Sequence, residues 1–168
     1  MRSKDDARFR EFARSRALSL RRTAYLLCGD WHLAEDLAQT TLIKLYGVWA
    51  RLRDSAVVDN YARRVLLNSW LDEQRKPWRR RENRDGVVPE LPHSDPVSGV
   101  SDVLVSALAQ LPARQRAAVA LRYCQDLSIF DVASVLRCSE GNVKSLTSRG
   151  LDRLREIVAE LQMAEGGL

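Results

Sequence analysis

Few residues of this chain are equipped for covalent or metal chemistry. Cys28 and His32 stand four apart, a spacing that suits two ligands on one helix face. A closed site needs two further ligands, and Gly29-Asp30 breaks the helix that would align the pair. Cys124 and Cys138 complete an odd set of three cysteines without CxxC spacing, which fits buried thiols rather than a disulfide framework or a zinc knuckle. No Ser/His/Asp or Cys/His set and no glycine-rich phosphate loop emerges, so no catalytic residue, metal site or cofactor is expected.

The residue types are better suited to recognition. Ile129 to Arg149 has helix-turn-helix grammar: a short amphipathic helix with small Ala133 inside, a turn at Arg137-Cys138, and a second helix capped by Ser139 with Val143 inward. On that second helix Glu140, Asn142, Lys144, Ser145, Thr147, Ser148 and Arg149 offer short polar or cationic groups to base edges and phosphates. Arg75, Lys76, Arg79, Arg80, Arg81 and Arg84 cluster around Trp78 with only Glu82 opposing, a run suited to salt-dependent phosphate contact or to a solvated face. Residues 1–84 hold 19 Lys/Arg against 11 Asp/Glu, residues 85–113 none against four, and the rest eight against seven. A basic first half fits a polyanionic partner.

Helices must position these groups. From Phe9 to Lys76 apolar residues recur at steps of three and four, and no proline appears before Pro77. Gly29-Asp30 ends one helix and caps the next, which runs from Trp31 to about Leu52. Asp59 or Asn60 is the expected cap of a helix reaching about Arg75, giving roughly four helices in this half. Pro77, Pro89, Pro92 and Pro96 with Gly86 and Gly99 mark a flexible linker. Beyond it the pattern predicts helices over Asp102–Leu111, Ala113 to about Tyr123, Ser128–Leu136 and Ser139 to about Leu161. The expected fold is all-α: two small helical domains, 1–78 and 102–168, joined by a linker over 79–101.

Two motif sets resemble the extracytoplasmic-function sigma factors of the sigma-70 family, with an actinobacterial flavour. Ala24-Tyr25-Leu26-Leu27-Cys28-Gly29-Asp30, Ala34 to Thr41 and Lys44-Leu45-Tyr46 are similar to its polymerase-binding segment. Leu111 to Arg116, Leu127 to Leu136, Cys138 to Ser145 and Ser148 to Arg155 are similar to its C-terminal domain, which reads the promoter −35 element.

The resemblance implies a transcription initiation subunit that binds core RNA polymerase and promoter DNA and is open to control by an anti-sigma factor. By position, Glu35, Asp36, Leu37, Gln39 and Thr40 would dock on polymerase. Asn60, Arg63, Arg64, Asn68, Trp70 and Arg75 would read and open the −10 element, with the loop Arg53–Asp59 and Asn68 forming a pocket for extruded bases. Trp70 also lies in step with Leu66 and Leu67 as a core position. Ser139, Glu140, Asn142, Lys144, Ser145, Thr147, Ser148 and Arg149 would bind the −35 element.

Arg137 stands where relatives often carry glycine, so a strained turn is expected there. No apolar run spans a bilayer and the N-terminus lacks a signal-like apolar region, which favours the cytoplasm. The competing reading is a stand-alone helix-turn-helix regulator, which would bind duplex DNA without polymerase.

Overall fold

The computed structural model describes residues 3–52, 54–76 and 100–166, and among them every regular element is helical. Helix α1 (Ser3–Cys28) gives way to α2 (Trp31–Val48) across Gly29-Asp30. Gly29 takes a left-handed backbone, φ +71°, and returns its N–H to the Tyr25 carbonyl at 2.9 Å, closing α1. Extended Asp30 then accepts the N–H groups of His32 and Leu33 at 2.9 and 3.3 Å and opens α2. Cys28 and His32 therefore sit on different helices. The α2 helix stops short of Leu52, tightening into a 3-10 turn at Trp49–Arg51.

Helix α3 (Ser55–Gln74) starts earlier than the sequence suggests. Asp54, not Asp59 or Asn60, is its cap, accepting the Ala56 N–H at 3.0 Å. The cause is tertiary. Val58 is drawn into the core, and Asp59 accepts Nε and Nη2 of Arg16 on α1 at 2.8 and 3.2 Å. Residues 56–59 are thus helix rather than loop, and the described first half holds three α-helices where about four were expected.

The second half comprises α4 (Asp102–Leu108), α5 (Ala113–Val119), α6 (Ile129–Leu136) and α7 (Glu140–Gly166). Serine hydroxyls cap three of them: Ser101 accepts from Leu104 at 3.4 Å, Ser128 from Asp131 at 3.0 Å and Ser139 from Asn142 at 3.0 Å. Helix α5 continues into a wider π turn, Ala120–Cys124, where the Gln125 N–H reaches Ala120 at 3.0 Å. Between α6 and α7 Arg137 is left-handed, φ 53° and ψ 51°.

Helices α1 to α3 enclose Tyr25, Leu45, Leu66 and Trp70, while α4 to α7 enclose Leu108, Val119, Val132 and Val143. One continuous apolar cluster joins the two sets, so the halves are packed together in this structure. Polar contacts cross the seam: Tyr25 Oη donates to Asp102 at 3.1 Å, Arg116 Nη1 to the Leu27 carbonyl at 2.6 Å, and Arg64 Nη2 to the Ser134 carbonyl at 2.8 Å. Burial, then the Asp102 carboxylate, pushes the Tyr25 phenol well above its ordinary range, keeping it a donor. The expected linker over 79–101 lies almost wholly outside the described residues.

Two backbone sites make stability predictions. A Cβ at Gly150 would stand 2.6 Å from Cγ2 of buried Val119, whereas nothing lies within 4 Å of one at Gly47. Gly150→Ala is expected to destabilise by about 1–2 kcal/mol, and Gly47→Ala to stabilise by about 0.5 kcal/mol. Relief of the left-handed turn makes Arg137→Gly stabilising by about 0.5–1 kcal/mol. Urea unfolding of the three variants checks all three signs.

Candidate nucleic-acid interface

Three polar faces emerge from these helices. On α2, Glu35, Asp36, Gln39 and Thr40 are exposed, while Leu37 between them is 4% exposed and packs inward with Leu33, Ala38 and Leu45. Leu37 is therefore a core residue and not part of the outer face expected to meet a partner. Its four-residue step from Leu33 already places it on the inner stripe. Ile43, absent from that expectation, continues the outer stripe and is 72% exposed. Asp36, Gln39, Thr40 and Ile43 follow one another at helical spacing, so the stripe ends in an apolar side chain suited to a helix-pair partner.

On α3, Asn60, Arg64, Asn68 and Arg75 share one face. Asn68 and Arg75 are exposed, Arg75 lying 3.7 Å from Asp72. The upper half of the face is covered. Asn60 Nδ2 donates to Asp131 Oδ1 at 3.0 Å, Arg63 Nη1 donates to Asn60 Oδ1 at 3.1 Å, and Arg64 Nη2 also reaches Ser134 Oγ at 3.3 Å. Trp70 belongs to none of this surface: it is fully buried, with the Arg116 guanidinium 5.1 Å from its ring centroid. The assignment of Trp70 to the reading face is corrected to core. Of the expected base pocket, Arg53 lies outside the described residues, and 56–59 form helix. In the basic run only Arg75 and Lys76 are described; Trp78, Arg79, Arg80, Arg81 and Arg84 lie outside.

On α7, Ser139, Glu140, Asn142, Lys144, Ser148 and Arg149 are exposed and Ser145 is half-buried. Ser139 spends its hydroxyl as the helix cap. Thr147 is buried, donating to the Val143 carbonyl at 2.9 Å, and joins Val143 and Gly150 on the inner face rather than the outer one. Beside this helix runs an open groove lined by Arg122 and Tyr123 on one wall and Lys144, Ser148 and Arg155 on the other. The Arg122 guanidinium lies 5.5 Å from the centroid of the half-exposed Tyr123 ring. Arg122, Tyr123 and Arg155 escaped the sequence reading because they lie outside the helix-turn-helix segment. The groove offers cations and an aromatic plane, the groups that hold phosphates and stack on bases.

Thiol chemistry finds little support in the geometry. Cys28, Cys124 and Cys138 are separate, partly buried thiols, and burial pushes Cys124 up, away from the reactive thiolate.

Comparison with known proteins adds the family. The model of Sigma-70 region 2 matches residues 12–80, and that of Sigma-70, region 4 matches residues 101–154. The RNA polymerase sigma-E factor of Streptomyces coelicolor is 36% identical over 154 residues, covering 88% of this chain and 84% of that protein. The sigma-E factor of Streptomyces avermitilis is 35% identical over 153 residues, covering 88% and 83%. Among solved structures, the sigma factor RpoE from Bartonella quintana, determined with the anti-sigma factor NepR, superposes with a TM-score of 0.76 at 28% identity, covering 90% of this chain and 96% of that one. With both sigma regions matched in order and relatives of this identity spanned over most of their length, the chain belongs to the extracytoplasmic-function sigma factors of the sigma-70 family.

Proposed function

We propose that this sigma factor joins core RNA polymerase through the outer face of α2 and reads promoter DNA through α3 and α7, in the cytoplasm and without a covalent step of its own. The observation that carries the reading is the pairing of a partly acidic stripe on α2 (Glu35, Asp36, Gln39, Thr40, Ile43) with a polar and cationic face on α7. A protein partner suits the first, since an amphipathic helix with an acidic edge and an apolar end can dock on a basic helix pair. Nucleic acid suits the second, where Lys144 and Arg149 meet phosphates and Asn142 meets base edges. No helix among the described residues is long and apolar enough to cross a membrane. Because RpoE of Bartonella quintana was solved with an anti-sigma factor, a partner of that class is a further candidate for this chain.

The docking reading is tested by mixing the full chain with bacterial core RNA polymerase and following co-elution by size exclusion. Asp36→Arg with Gln39→Ala, and separately Ile43→Asp, are expected to weaken association by about tenfold or more, with helicity unchanged by circular dichroism. Lys144→Ala and Arg149→Ala are expected to leave co-elution intact and to reduce the salt slope of polymerase-dependent promoter binding by about one each. Tight binding to a two-fold duplex site without polymerase, together with no co-elution, would hand the chain to the stand-alone regulators.

A further inference from the structure

The donors on α3 that suit nucleic acid are engaged by the other half of the molecule. Arg64 donates to the Ser134 carbonyl at 2.8 Å and to its hydroxyl at 3.3 Å, and Asn60 donates to the Asp131 carboxylate at 3.0 Å. A carboxylate and a carbonyl are the acceptors that phosphates and base edges also present, so α6 and a DNA strand compete for the same hydrogen-bond donors. We propose that α6 is a built-in clasp over the α3 reading face, holding the free chain closed to the −10 strand until polymerase docking separates the two halves. This rests on the assignment of α3 as a nucleic-acid surface.

The distribution of exposure fits such a device. Asp36, Gln39, Thr40 and Ile43 on α2 remain open in the clasped form, so polymerase can dock before the clasp opens. The lower α3 face, Asn68 and Arg75, is also open and gives an incoming strand a first foothold. On α7 the reading face is exposed as well, so the clasp withholds one reader and leaves the other presented. The contacts that cover α3 are a few half-buried hydrogen bonds, each a modest net contribution, which biases an equilibrium without locking it.

The test uses the full chain carrying Asp131→Ala and Ser134→Trp, which removes the acceptor for Asn60 and wedges the seam. Neither residue belongs to the reading faces. Asp131→Ala by itself serves as the milder variant should the pair fail to fold. Small-angle X-ray scattering reads closure, and fluorescence anisotropy with a mixed-sequence single-stranded oligonucleotide reads access. Wild type is expected to scatter as a compact chain, with a radius of gyration of about 15 Å if it follows the usual scaling. The variant is expected to expand and to bind the oligonucleotide about tenfold more tightly, the factor by which a tenfold closed excess lowers apparent affinity. That gain should vanish when Arg64→Ala is added. An expanded wild type, or a variant that stays compact, overturns the clasp and leaves the reading of α3 untouched. Expansion without tighter binding overturns the inhibitory role through the other premise, because α3 is then not a nucleic-acid surface.

Discussion

The guanidinium of Arg116 sits where two helices end and a third passes beneath. Nη1 donates to the Leu27 carbonyl in the last turn of α1, Nη2 donates to the carbonyls of Ala109 and Leu111 just past α4, and the plane lies over the Trp70 ring of α3. Helix C-termini leave carbonyls without intrahelical partners and carry partial negative charge, so one planar fork meets an unmet need from two directions. Burial lowers its pKa to about 10, which still leaves it cationic at neutral pH. A charge enclosed in this way is tolerable only because its donors are matched to oxygens and its face to an aromatic ring.

The remainder of the seam depends on that placement. Each half is a small helical unit with limited apolar area, and packing the halves together extends one cluster from Tyr25 and Trp70 through Leu108 to Val143. With α5 anchored under α1 and α3, α6 is brought against the outer side of α3, where Asn60 and Arg64 meet it. The apolar seam and the Arg116 fork give the arrangement its geometry, while the α3–α6 hydrogen bonds at its edge are exposed enough to exchange for other acceptors.

Legibility from sequence followed the range of the interaction. The Gly29-Asp30 break and the caps at Ser101, Ser128 and Ser139 depend on hydrogen bonds reaching two to four residues along the chain, and residue type announces them. Arg137 was legible for the same reason, since a tight turn without glycine forces a left-handed side chain. The start of α3 was not, because Asp59 looks like a cap until Arg16, 43 residues earlier, claims its carboxylate. The π turn at Ala120–Cys124 has no residue signature. Nor did composition suggest that a proline-rich stretch separates two units which pack face to face, since contacts such as Arg64 with Ser134 span 70 residues and leave no periodic trace.

Register decides which residues of a helix can meet a partner, and α3 shows the rule at its clearest. Val58, Ala62, Leu66 and Trp70 follow one another at steps of four and are all at most 3% exposed. Asn60, Arg64 and Asn68 follow the same step two positions out of phase, which turns them to the opposite side of the helix. Trp70 was drawn into the reading face by its chemistry, an aromatic plane fit for stacking, although its phase had already committed it to the core. Leu37 and Thr147 repeat the lesson: each lies within a run of surface residues, yet each is in phase with a buried neighbour four positions before it, Leu33 and Val143. Residue type states what a side chain can do once it faces a ligand; the helical phase, readable from the same sequence, states whether it faces one.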